Sequence, residues 1–84
     1  MKAKHRRTLE AIFSTPTRGR IVFPDIEGLI RALGEEIREG EGSRVVLELK
    51  GSRKYLHRPH PGKEAKKYHV EELREWFDKL EVKP

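Results

Sequence analysis

From Ser43 onward the apolar residues recur at every second position, with Val45, Leu47 and Leu49 alternating with Arg44, Val46, Glu48 and Lys50. A period of two belongs to a β-strand with one buried face. Gly51-Ser52 follows as a two-residue turn candidate and Arg53 to about Arg58 reads as the returning strand, so the segment predicts a β-hairpin. With Gly51-Ser52 as the loop, Lys50 pairs with Arg53. Counting outward then sets Leu47 opposite Leu56, Glu48 opposite Tyr55 and Val46 opposite His57. One face of this hairpin carries Val45, Leu47, Leu49 and Leu56. The other carries Arg44, Val46, Glu48, Lys50, Arg53, Tyr55 and His57, which is too polar a set to lie beneath helices.

The flanking segments supply what covers the apolar face. Leu9, Ile12 and Phe13 have helical spacing within Lys4 to Ser14, and the proline and glycine of the next stretch end that helix. Ile26, Leu29, Ile30 and Leu33 fall at i, i+3, i+4 and i+7, with Pro24 and Asp25 suited to a first turn and Gly34 to the stop, which predicts a helix near 24–33. Glu35 to Glu39, centred on Ile37, reads as a short strand that ends in Gly40-Glu41-Gly42. Pro59 to Lys67 reads as a basic loop. Val70, Leu73, Phe77 and Leu80, flanked by Trp76, predict a last helix from about His69 to Leu80, with Glu71 and Glu72 complementing its positive start. The expected fold is α+β, a three-stranded antiparallel sheet with helices on one face and an additional N-terminal helix.

Size and charge narrow the function. A chain of 84 residues buries only roughly 60 to 65% of its unfolded surface, so its core is thin and function belongs on an open face. No run approaches the roughly 20 apolar residues of a membrane span, and the basic start Met1-Lys2-Ala3-Lys4 has no apolar stretch behind it to make a signal peptide. The chain has no cysteine, which excludes disulfides and thiolate metal sites, and the cytoplasm is the expected compartment. The net charge of +5 is unevenly spread. Residues 1–20 carry six basic and one acidic side chain, 21–42 two and six, 43–69 eight and two, and 70–84 three and five. The basic excess in the hairpin and the loop after it points to a polyanionic partner.

No glycine-rich phosphate loop, His-x-x-x-His pair or acidic cluster is present, so neither a nucleotide, a metal nor any other cofactor is expected. His57 and His60 lie three apart around Arg58, a combination able to bind phosphate and to move protons near neutral pH. Metal-free RNA cleavage needs a base for the 2′-OH proton, an acid for the leaving oxygen and cations around the phosphate. An open basic sheet with an imidazole supplies this chemistry. Tyr55, where exposed, is able to stack on a base.

Glu41-Gly42-Ser43-Arg44, the hairpin, and Pro59-His60-Pro61-Gly62-Lys63-Glu64-Ala65-Lys66-Lys67 together resemble the HicA toxins of bacterial type II toxin-antitoxin systems over about Phe23 to Lys83. The resemblance implies a double-stranded-RNA-binding-domain-like (dsRBD-like) fold, with residues 1–22 as an N-terminal helix and linker and 23–84 as the HicA-like domain. It implies a small ribonuclease, an mRNA interferase, that cleaves mRNA until a HicB antitoxin covers its active surface. In the family a catalytic histidine follows the Gly-Ser pair. Here that position is Arg44, whose guanidinium keeps its proton and cannot act as a neutral base. Gly42 and Ser43 carry over as turn residues, and His60 and Lys63 as members of the loop.

Three outcomes follow from that departure. His57, on the same face as Arg44, takes the base role while Arg44 stabilises the pentavalent phosphate; or the domain binds RNA without cutting it; or, with its additional N-terminal helix, it acts through another target or only pairs with a HicB-like protein, the acidic segment 21–42 and the first helix then being the extra contact surface. The expected RNA contacts are Ser43, Arg44, Lys50, Arg53, Lys54, Arg58, Lys63, Lys66 and Lys67, with His57 the first catalytic candidate and His60 the second. The expected partners are mRNA and a HicB-like antitoxin, with no membrane.

Overall fold

Each apolar stripe in the sequence is matched by an element in the computed structural model, which describes residues 1–84. The order is α1 (Ala3–Phe13), α2 (Phe23–Ala32), β1 (Ile37–Glu39), β2 (Arg44–Leu49), β3 (Ser52–His57) and α3 (Lys67–Lys79). The helices and strands stand in the expected sequence. α2 begins with Pro24 in its first turn and ends where Gly34 N–H donates to Arg31 O and Glu35 N–H to Ile30 O, the paired bonds of a Schellman stop. No helix is long and apolar enough to cross a membrane.

The strands form one antiparallel sheet in the order β1-β2-β3. Val45, Leu47, Leu49 and Leu56 point to one side and join Ile26, Leu29, Ile30, Val70, Leu73 and Phe77 in a core of 16 buried residues. α1 packs on α2 and α3, adding Leu9 and Ile12 to that core. Arg74 of α3 secures it: its guanidinium donates to Ile12 O at 2.8 Å, and to Ser14 O and Thr17 Oγ1 at 3.0 Å, so carbonyls left open at the end of α1 find donors. The fold is α+β and dsRBD-like, with every helix on the same side of the sheet as the core.

The hairpin register differs from the sequence expectation. The turn is Lys50-Gly51 rather than Gly51-Ser52, with φ of 49° and 78° at the two residues, the left-handed pair that a two-residue hairpin turn requires. Leu49 therefore faces Ser52, Leu47 faces Lys54, Val46 faces Tyr55, Val45 faces Leu56 and Arg44 faces His57. The cause is tertiary. Ser52 points toward the helices and accepts the indole N–H of Trp76 at 2.8 Å, while Lys50 Nζ donates to Leu80 O at 3.0 Å at the end of α3. The register shift of two leaves every strand residue on its expected face and removes only Lys50 from the open one.

Two boundaries also move. Lys67 is the first residue of α3 rather than the last of the loop, so the first turn of α3 holds no acidic side chain and Glu71 and Glu72 fall beyond it. The loop before α3 is not wholly irregular. Val22 bridges Glu64, with Phe23 N–H donating to Lys63 O at 2.7 Å and Ala65 N–H to Ile21 O at 2.8 Å, and Ile21 and Ala65 are buried.

Candidate functional site

The open face of the sheet carries Arg38 from β1, Arg44, Val46 and Glu48 from β2, and Arg53, Tyr55 and His57 from β3. Alternation puts them there, because each neighbours in sequence a residue of the buried face. Tyr55 is 69% exposed, so its ring is available for stacking instead of packing in the core. A groove of about 440 Å³ opens beside it, lined by Gly40, Glu41, Arg44, Val46, Tyr55 and His57 among others.

Arg44 and His57 face each other at the open end of the hairpin, as the first residue of β2 and the last of β3. Arg58 N–H donates to Ser43 O at 2.8 Å one step beyond them, which makes Arg44 and His57 a non-hydrogen-bonded cross-strand pair, the kind whose side chains lie closest. Ser43 Oγ stands 3.2 Å from His57 Nδ1. That contact orients the imidazole and leaves Nε2 for other partners. Gly40 holds Arg44 from the opposite side. Its N–H donates to Arg44 O at 2.9 Å, and a Cβ on Gly40 would stand 2.9 Å from Arg44 Cβ, so only glycine permits this approach.

Immediately after His57, Arg58 turns away from the face. Its Nη1 meets Glu39 Oε1 at 2.5 Å, and its Nη2 meets Glu39 Oε2 and Glu27 Oε2 at 2.6 Å each. Its hydrogen bonds to Glu39 and then to Glu27 raise the guanidinium above its ordinary value, and the bond that Glu39 accepts from Arg58 lowers the Glu39 carboxyl. Arg58 is thus a clamp joining the ends of β3 and β1 to α2, not the free cation expected from sequence. Lys54 is likewise engaged, facing the helices 3.3 Å from Glu72. Lys50 lies in the turn on the Leu80 carbonyl. Arg53 stays on the open face, 4.0 Å from Glu48, which also pairs with Arg38.

Lys63, Lys66 and Lys67 are exposed in the loop and at the start of α3, and none has a carboxylate within 4.0 Å. The start of α3 has no side-chain cap, so its positive end adds to these lysines. His60 is exposed in the same loop and is not among the groove-lining residues. The expected set is therefore divided. Arg44, Arg53 and His57 share the sheet face with Ser43 at its edge on His57, Lys63, Lys66 and Lys67 share the loop and helix start, and Lys50, Lys54 and Arg58 are held by the fold. Sequence reading did not single out Arg38, Gly40 or Glu41, although the strand parity of β1 and the glycine beside a hairpin were visible signals for the first two. It also passed over His69, whose ring lies tilted against Tyr68 with centroids 4.2 Å apart and whose Nδ1 is buried without a partner.

A three-stranded open sheet backed by helices, with a cation and an imidazole paired at the end of its hairpin, defines a small dsRBD-like domain. The family model described as the HicA toxin of bacterial toxin-antitoxin systems matches residues 23–75, more than half of the chain. The chain belongs to the HicA toxin family. No curated protein and no solved structure gives a significant match. The matched stretch contains Arg44 and His57, and α1 lies outside it.

Proposed function

We propose that this toxin binds mRNA across its open sheet face and cleaves it without a metal, using His57 as base and Arg44 as the phosphate-stabilising cation. The observation that carries the reading is the Arg44–His57 cross-strand pair with Ser43 at His57 Nδ1. When Nδ1–H donates to Ser43 Oγ, Nε2 holds the lone pair and is able to take a proton from a ribose 2′-OH. The 2′-oxygen attacks the adjacent phosphorus, the bond to the 5′-oxygen breaks, and that oxygen takes a proton from water or from His60. The products are a 2′,3′-cyclic phosphate and a 5′-hydroxyl. Arg44 stabilises the additional negative charge on the non-bridging oxygens as the pentavalent state forms. Tyr55 stacks on a flanking base, while Arg53 and the lysines at 63, 66 and 67 hold the backbone. A HicB-like antitoxin neutralises the toxin by covering this face.

Induction of the unaltered chain and of His57→Ala, His60→Ala and Arg44→Ala in a bacterial host tests the reading, with growth and transcript integrity scored together. The expected result is growth arrest with fragmented transcripts, lost in His57→Ala. Normal growth with intact transcripts from soluble unaltered protein would sink the nuclease and favour RNA binding without cleavage, since Arg44 stands where the family's histidine is expected.

A further inference from the structure

Besides Arg44 on the sheet, two groups of neighbouring cations have no carboxylate partner, and only one of them is the loop of the proposed RNA surface. The other lies outside the family-matched stretch. Between α1 and the segment leading to α2, a groove of about 440 Å³ is lined by Lys4, Arg7, Thr8, Arg18, Arg20 and Asp25, among others. Its one carboxylate, Asp25, is 3.6 Å from Lys4 Nζ. Arg7, Arg18 and Arg20 are exposed and have no carboxylate within 4.0 Å. Arg74, by contrast, is spent on the end of α1. Three uncompensated guanidiniums along one groove repel each other and are stabilised by an anion that satisfies their donor forks.

The groove is continuous with the lysines of the loop. The Lys67 side chain runs across Gly19, where a Cβ would stand 3.2 Å from Lys67 Cε. The bonds joining Ile21 to Ala65 and Phe23 to Lys63 carry Arg20 alongside Lys66. Apolar lining is limited to Ala11 and Ile21, too little for the centre of a protein interface. Cations without an apolar anchor fit a sugar-phosphate backbone.

We propose that Arg7, Arg18 and Arg20 form a second phosphate-binding track, which extends the RNA path from the lysines at 63–67 along α1. This rests on the RNA-binding reading above and adds to it a function for the N-terminal segment. The test is a salt titration of the full chain with a 2′-O-methyl RNA, which lacks the hydroxyl needed for cleavage, followed by fluorescence anisotropy. Arg7→Gln/Arg18→Gln/Arg20→Gln is expected to reduce the magnitude of the log–log salt slope by about 2, near 0.7 for each lost single-strand contact. Arg7→Lys/Arg18→Lys/Arg20→Lys, which keeps the charges, is expected to preserve it. A slope unchanged in the glutamine variant, or lost equally in both variants, overturns the track and leaves the groove to a protein partner or to solvent. Absence of RNA binding by the unaltered chain at low salt overturns the RNA reading and the track together.

Discussion

Arg58 and Glu39 meet at two points, Nη1 to Oε1 at 2.5 Å and Nη2 to Oε2 at 2.6 Å, directly behind His57 in the chain. The same guanidinium reaches Glu27, whose side chain is only 11% exposed. Truncating Arg58 strands that carboxylate in a poorly hydrated place. Arg58→Ala is therefore expected to cost about 2 kcal/mol, less than a fully buried pair because the guanidinium is itself partly in water. For a domain of this size that lowers the melting temperature by roughly 8 to 16 °C. Glu39→Gln should cost much less, its side chain being 64% exposed. Thermal melts of the two variants decide the matter, and equal losses would contradict the assignment of the main penalty to Glu27.

Stability should fall in two steps as the solution is acidified. Burial disfavours the His69 imidazolium and holds its value below the ordinary 6.5, with Lys66, His57 and Lys54 lowering it further and Glu72 opposing them. The unfolded chain takes up this proton first, so the contribution is complete above 6.5 and lost as pH falls from there through the lowered value. Glu39 behaves likewise around a lower point. The hydrogen bond from Arg58 holds it below the ordinary 4.5, so its contribution is present above 4.5 and lost as pH falls through the folded value. Urea midpoints measured from pH 8 to pH 3 test both steps. His69→Gln should flatten the upper step and Glu39→Gln the lower, each leaving the other in place.

Which side chains share a face was legible in the sequence, because alternation fixes parity and a shift of two preserves it. Thus Tyr55 and His57 fall on the same face as Arg44 in either register. The register itself was not legible. It depends on Trp76 finding Ser52 and Lys50 finding Leu80, contacts that span 24 and 30 residues. The freedom of each cation was hidden for the same reason. Arg58 and Lys63 count equally in a charge tally, yet Arg58 meets carboxylates 31 and 19 residues away. Sequence therefore located the charged region, whereas folding selected which of its charges remain available.

The turn offers a direct check of the observed register. Gly51 has φ of 78°, and a side chain there pushes the backbone toward a conformation that L-residues resist by roughly 1 to 2 kcal/mol. Gly51→Ala should lower stability by about that amount. Lys50→Asn, at φ of 49°, should lose little, because asparagine tolerates the left-handed region and offsets the lost bond to Leu80 O. Were Gly51-Ser52 the turn, asparagine at position 50 would instead stand in a strand and weaken it. Urea unfolding of the two variants separates these registers.

The cross-strand relation of Arg44 to His57 predicts a functional exchange. His57→Ala removes the proposed base and should reduce cleavage of an RNA by about 100- to 10,000-fold, the range that positioned general bases supply. Adding Arg44→His to that variant puts an imidazole back within the same non-hydrogen-bonded pair, directly after Gly42 and Ser43. Cleavage should return in part, limited by the loss of the Arg44 cation at the phosphate. Arg44→His in the unaltered background keeps His57 and should lower the rate less than His57→Ala does. Single-turnover cleavage of one labelled RNA by the four proteins gives the comparison, with a melt of each to verify folding. A folded His57→Ala protein that cleaves at the unaltered rate would remove His57 from the mechanism, and recovery in the double variant would tie the activity to an imidazole at this point of the sheet.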